Sequence, residues 1–304
     1  MFQIQRTERG GQPGQGVDPE GRAQQGRSER PVRQDLALTE GGEPLEYLTF
    51  PLLERTGIVK HLFTTRLGGV SRGECATMNF SVDRDENQEN VLENYRRIAG
   101  VLDCRVEDMV ASHQTHTTNI RRMTSADKGK GILRPRDYAD VDGMVTDEPG
   151  LVLNTFYADC VPLYFVDPVH RAVGLAHSGW RGTAGRMGAR MVEAMGERFG
   201  SRPEEIYAAV GPSICRDCYE VSGDVAEQFI RMLGKAVAIP GREPGKYQLD
   251  LWLANELILR QAGLLPAHIA VTDICTCHNS GYLFSHRASG GRRGSLAAFL
   301  ALKD

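Results

Sequence analysis

No run of apolar residues in this chain is long enough to span a bilayer. The amino terminus lacks the basic-then-apolar pattern of a secretory signal, being rich in Gly, Gln, Arg and Glu. Charge of one sign is also missing: the formal balance over 304 residues is −3, which excludes a global pull toward nucleic acid or an anionic membrane. Neither a Walker loop nor a Gly-x-Gly-x-x-Gly following a strand is present, so ATP and nicotinamide binding are not supported. The seven cysteines show no disulfide-framework spacing for a chain of this length. A reducing, cytoplasmic setting is the expectation, with the thiols available for metal or catalysis.

Hydrophobic residues make up 41% of the chain, enough for a sizeable core. They are unevenly spread. Residues 1–44 are dominated by Gly, Gln and charged side chains, which cannot bury enough apolar surface to offset ordering entropy, so a disordered tail is expected. The folded body is expected over 45–304 as one domain. Strands are predicted at 59–65, 109–112, 143–146, 151–155, 161–166, 172–176, 206–210 and 268–273. Helical spacing marks 87–100, 183–199, 223–233 and 247–259, the last with Asp250 as a cap. A short closing helix is expected over 295–302, and an exposed polar loop over 124–138. No repeat recurs at a fixed period. The elements mix without strict βαβ alternation, which predicts an α/β (α+β) fold with mixed sheets packed by helices rather than a doubly wound parallel sheet.

Two imidazoles and a thiol stand at the edges of strand-like runs. His116 lies in Gln114-Thr115-His116-Thr117, Cys160 in Ala158-Asp159-Cys160-Val161-Pro162, and His177 opens His177-Ser178-Gly179-Trp180-Arg181-Gly182. Catalytic zinc sites use three protein ligands and keep a fourth position open. With the thiol bound as thiolate, such a site carries roughly one net positive charge and favours an oxyanion at the open position. His113 competes with His116 for the same role, since the two are spaced i, i+3. Asp142 and Asp159 are candidate carboxylates to orient an imidazole. Copper is possible for a His₂Cys set. It is disfavoured, because a multicopper array wants roughly ten His and this chain has eight, with no His-x-His pair.

Arg66, beside the glycine turn of Thr64-Thr65-Arg66-Leu67-Gly68-Gly69-Val70-Ser71, suits a phosphate or carboxylate clamp. Arg181 stands at a presumed helix start, where free backbone N–H groups favour anions. Cys215-Arg216-Asp217-Cys218 would make a Cys₄ zinc set with Cys275 and Cys277, but the Cys-x-Cys spacing is tight, and unpaired thiols in turns are the favoured reading.

These segments, together with Gly211-Pro212-Ser213-Ile214, Cys218-Tyr219-Glu220-Val221 and Phe284-Ser285-His286-Arg287, resemble the YfiH-like family, also called the polyphenol oxidase or multicopper laccase-domain family. The resemblance covers residues 45–304. It implies a single α/β domain with mixed sheets sandwiched by helices, similar to the catalytic domain of cytotoxic necrotizing factor toxins. It further implies zinc on His116, Cys160 and His177, with His113 left as a neighbouring pocket residue. Arg66, His113, Arg181 and Arg287 are the implied substrate contacts. Members of the family resemble metal-containing purine nucleoside phosphorylases acting on adenosine, inosine, guanosine and methylthioadenosine with phosphate, and some deaminate adenosine. Others are linked to editing of peptidoglycan precursors. The closing motif departs from the family pattern. Ala288 and Ser289 replace Arg-Asp, and the family's last Arg falls on Ser295 unless Arg292 or Arg293 substitutes, so only Arg287 carries over there. Two other classes remain: a Cys-His hydrolase with Cys160 as nucleophile and His177 as base, and a non-enzymatic zinc-stabilised binding module.

Overall fold

The computed structural model describes residues 2–7, 30–82, 84 and 87–304. Its strands begin with β1 (Arg33–Leu38), β2 (Pro44–Thr49), β3 (Val59–Thr64), β4 (Met109–Ala111) and β5 (Ile120–Arg122). Next come β6 (Gly143–Thr146), β7 (Val152–Tyr157), β8 (Val161–Asp167), β9 (Ala172–Ser178) and β10 (Tyr207–Val210). Then follow β11 (Glu220–Ser222), β12 (Ala238–Pro240), β13 (Lys246–Leu249), β14 (Ile269–Val271) and β15 (Leu296–Leu302). The α-helices are α1 (Pro51–Glu54), α2 (Gln88–Leu102), α3 (Trp180–Ala184), α4 (Met187–Phe199), α5 (Gly223–Leu233), α6 (Leu251–Gln261) and α7 (His286–Ser289).

Two six-stranded mixed sheets form the centre. One runs β1-β2-β3-β15-β7-β4 and the other β14-β10-β8-β9-β6-β5, while β11-β13-β12 makes a small third sheet. Alternation along β15 explains the layering. Ala298, Leu300 and Leu302 point into the core between the large sheets, beside Leu153, Tyr164 and Leu175. Ala297, Phe299 and Ala301 face the other way, onto Val91, Tyr95 and Ile98 of α2. The far side of the second sheet packs on α4 and α6 through Met191, Met195 and Leu259. The order is therefore helix, sheet, sheet, helices, which bears out the mixed sheets sandwiched by helices. Asp250 caps its helix as expected, accepting from Leu253 N at 2.9 Å, and Asn87 caps α2 by accepting from Glu89 N at 3.1 Å.

Four expectations are corrected. The closing helix at 295–302 is instead β15, paired between β3 and β7. A short apolar run has no periodicity to separate helix from strand, and here every residue is buried. A surface helix would leave one face in water, and each fully buried Leu or Phe contributes about 1.5–3 kcal/mol. The helix expected over 183–199 is two: α3 begins at Trp180, and Arg186 at φ 59° separates it from α4. The loop at 124–138 is not simply exposed, since Lys130 is buried between Asp127 at 2.8 Å and Asp137 at 2.7 Å.

The tail expected over 1–44 is ordered in part. Residues 8–29 of it lie outside the described residues. Phe2 stacks on Tyr282 with ring centroids 4.8 Å apart, Gln5 N donates to Asn279 Oδ1 at 2.7 Å, and Arg6 pairs with Asp273 at 2.7 Å. Val32 is fully buried and β1 pairs along its length with β2. Composition averaged over 44 residues hides such segments, because each borrows burial from a body that folds regardless.

Candidate metal centre

The antiparallel pairing of β8 with β9 sets Val161 opposite Ser178 and Pro162 opposite His177, so Cys160 emerges beside the end of β9. The segment after β4 brings His116 to the same point, held at φ 65°, an uncommon value for a residue with a side chain. Donor atoms of His116, Cys160 and His177 all lie within 4.8 Å of one another. The two imidazoles meet edge to face, with centroids 4.9 Å apart. Gly179 makes this convergence possible: a Cβ there would stand 3.0 Å from Cys160 Sγ and 3.2 Å from His116 Cδ2.

Asp142, fully buried at the head of β6, orders both histidines. Its carboxylate accepts from His177 Nδ1 at 2.8 Å, which leaves Nε2 of that ring for the centre. It also accepts from the backbone N–H groups of Thr115 at 3.0 Å, His116 at 3.1 Å and Thr117 at 2.9 Å. A carboxylate behind a ligating imidazole fixes its tautomer and orientation. Burial works to raise the Asp142 carboxyl, but the hydrogen bond and charge of His177 and these amides hold it down to about 2.

Burial would likewise push the Cys160 thiol up. The positive charge of His177 and hydrogen bonds with His116 and His177 outweigh it and lower the thiol to about 6. His177 is the mirror case. Burial lowers it, but the Cys160 thiolate and Asp142 raise it to about 9. Two imidazoles and a thiolate are the donors zinc takes, and the carboxylate-backed imidazole and the close glycine add to the fit.

The centre lies in a cavity of about 690 Å³, within the usual size of ligand pockets. His113, His116, Cys160, His177 and Arg287 all line it. His113 Nδ1 accepts from Asp140 N at 3.2 Å and does not join the donor set. Arg287 donates to Cys218 O at 2.8 Å and Glu220 O at 3.2 Å, and its backbone N–H reaches Asp159 Oδ2 at 2.7 Å.

Two expected substrate contacts are not in this cavity. Arg66 is spent on carbonyls, donating to Ala76 O at 3.0 and 2.9 Å and to Ser280 O at 2.9 Å, with its guanidinium over the Phe284 ring. It ties loops together and is not among the residues that line the cavity. Arg181 lies outside the lining residues, with its guanidinium stacked 4.4 Å from the Trp180 ring centre. Sequence reasoning did not single out Arg84 and Arg136, and it named Arg293 only as a stand-in for a lost family residue. All three line the cavity. Arg293 is mostly buried, donates to Gly294 O and Ser295 Oγ, and has a buried Nε without a partner. Burial, followed by the charge of Arg84, lowers its guanidinium to about 10. Arg84 and Arg293 also border an adjoining hollow of about 890 Å³, which contains none of the three metal donors.

Known proteins share this arrangement's fold. The structure of YlmD from Geobacillus stearothermophilus matches with a TM-score of 0.81 and 34% identity, covering 91% of this chain and all of that one. That of the hypothetical protein YfiH from Bacillus licheniformis matches with a TM-score of 0.81 and 33% identity, over 90% of this chain and all of that one. In sequence, the chain is 39% identical over 247 residues to a protein of Geobacillus stearothermophilus named purine nucleoside phosphorylase YlmD, covering 79% of this chain and 89% of the relative. A Deinococcus radiodurans protein named purine nucleoside phosphorylase is 38% identical, over 83% of this chain and 93% of its own length. Residues 60–303 match the pattern of the family described as multi-copper polyphenol oxidoreductase laccase, and the chain belongs to that family.

Proposed function

We propose that this chain is a zinc-dependent purine nucleoside phosphorylase, splitting adenosine, inosine, guanosine and methylthioadenosine with phosphate, with adenosine deamination as a side activity. One observation carries the reading: a His₂Cys donor set opens into a cavity that also holds Arg84, Arg136, Arg287 and Arg293. The names of the relatives support the substrate class. Two imidazoles and one thiolate with a fourth position open are the donor set of a catalytic zinc site.

His116, Cys160 and His177 would hold the ion. When bound it supplies Lewis acidity at its open position. Phosphorolysis joins a phosphate oxygen to C1′ of the ribose and breaks the C1′–N9 bond, and the base leaves with the electron pair and takes up a proton. The chain's part is binding and orientation. Arg84, Arg136 and Arg293 collect the phosphate, since guanidinium groups match its oxygens in bidentate fashion. Phe156, Trp180 and Tyr219 present partly exposed rings against which a purine can stack. Asp142 keeps the His177 imidazole from turning and holds the backbone that carries His116. Purified, zinc-loaded protein with adenosine and phosphate should yield adenine and ribose 1-phosphate in equal amounts by chromatography, and a smaller flux of inosine. If no base, inosine or sugar phosphate forms from any of the four nucleosides, the reading fails.

A Cys-His hydrolase remains the second reading, because Cys160, His177 and Asp142 also stand in the order nucleophile, base and orienting carboxylate. His116 as a further partner of the same sulfur favours the metal.

A further inference from the structure

Six of the seven cysteines lie outside the first centre, and three of them meet elsewhere. Cys215 and Cys218 flank a single turn, with Cys218 N donating to Cys215 O at 3.2 Å. Cys275 and His278 flank a second turn with the same two-residue gap. The turns are pressed together by a parallel bridge between Ser213 and Cys275 and by Thr276 N donating to Ser213 O at 3.1 Å. One ligand atom from each of Cys215, Cys218, Cys275 and His278 lies within 4.8 Å of every other. Cys215 Sγ is 3.8 Å from His278 Nδ1. A tetrahedral zinc with Zn–S of about 2.3 Å and Zn–N of about 2.0 Å needs edges of about 3.5–3.8 Å, so the set closes on an ion by small shifts. Cys275 Sγ already accepts from the backbone N–H groups of Cys215 at 3.3 Å and His278 at 3.5 Å, contacts that stabilise a thiolate.

We propose that Cys215, Cys218, Cys275 and His278 form a second, structural zinc site, closed by four protein ligands and without an open position. Such a site would replace the unpaired thiols expected in these turns and alter the imagined Cys₄ set. The fourth ligand is His278, not Cys277, because the two-residue gap lets both ends of the turn face one point. The site stands on its own donors and does not depend on the chemistry at the first centre. Its place explains its use. Ile214 and Tyr219, which adjoin the first knuckle, line the cavity, and Cys218 O holds the Arg287 guanidinium. Thr276, in the second knuckle, donates to Asp159 Oδ1 at 2.6 Å, next to Cys160. The ion therefore pins one wall of the first site without touching its substrate.

Metal content and cobalt spectra test this. Wild type grown with zinc and dialysed under reducing conditions should hold two zinc ions per chain by plasma mass spectrometry. His116→Ala/Cys160→Ala should hold one, and so should Cys218→Ser/His278→Ala. Reconstituted with cobalt, His116→Ala/Cys160→Ala should show the strong thiolate-to-cobalt charge-transfer bands of a tetrahedral site with three sulfurs. That measurement decides the matter even if the second variant does not fold. The proposal is overturned if His116→Ala/Cys160→Ala binds cobalt without such bands or not at all. It is also overturned if peptide mapping of unreduced protein finds Cys215, Cys218 or Cys275 in a disulfide.

Discussion

An ordinary thiol is almost wholly protonated at neutral pH, and a buried one more so. Cys160 departs from this because two imidazoles face it, so in metal-stripped protein it is ionised above about pH 6. Its alkylation by iodoacetamide, followed by mass spectrometry at this residue, should therefore rise with pH through about 6 and be level by pH 8. A rise centred near the ordinary value of 9 would mean that the imidazoles do not sustain the thiolate. The partner shift has the opposite sense. His177 is raised above its ordinary value of 6.5, so its contribution to stability is full below about 6.5 and is lost as pH rises through about 9. Zinc should suppress labelling across the range, which separates a ligand from a free nucleophile. At this scale the sequence was partly legible. His-Cys-His chemistry could be read from residue types, and Asp142 was a candidate to orient an imidazole, but nothing in its spacing announced that the same carboxylate would also hold three amides.

Elements were readable where periodicity was strong and unreadable where both faces were buried. Helix α2 buries its stripe of Val91, Tyr95 and Ile98 as expected, and it begins at an Asn87 cap. Strand β15 offered no alternation to read. The glycine turn after β3 was legible as a motif but not in its purpose. It was read as an anion clamp around Arg66. The structure instead brings loops so close that a Cβ on Gly69 would fall 2.3 Å from Thr77 O and 2.5 Å from Met78 Cα. Backbone cannot yield as a flexible side chain does. Gly69→Ala should destabilise the protein by about 2–3 kcal/mol, a typical cost of overpacking, measured as a lower urea midpoint with an unchanged slope. A midpoint within error of wild type would show that this contact is looser than described.

The whole molecule assembles motifs that are far apart along the chain. The segment at 64–71 meets 280–284 through Arg66, and 211–218 meets 275–278 through the knuckles. That convergence makes several weak signals into one specific pattern. It also determines which arginines can serve the cavity, which spacing alone could not. Arg293→Ala should raise the KM for phosphate about 10- to 100-fold, matching the roughly 1.5–3 kcal/mol of a hydrogen bond to a charged group, with a smaller change in the KM for nucleoside. Arg66→Ala should instead lower thermal stability and leave the KM for phosphate close to wild type. If the two variants exchange these effects, the assignment of the anion site is wrong.

The position of β15 has a temporal consequence. It is the last strand of the described chain, yet it lies third from one edge of its sheet, hydrogen-bonded on both sides by β3 and β7. During synthesis, those two strands emerge from the ribosome long before the strand that joins them. Each must wait with an unpaired edge, the condition that invites wrong partners. Closure of this sheet therefore waits on β15, and until that strand is made the facing edges of β3 and β7 stay open to wrong partners.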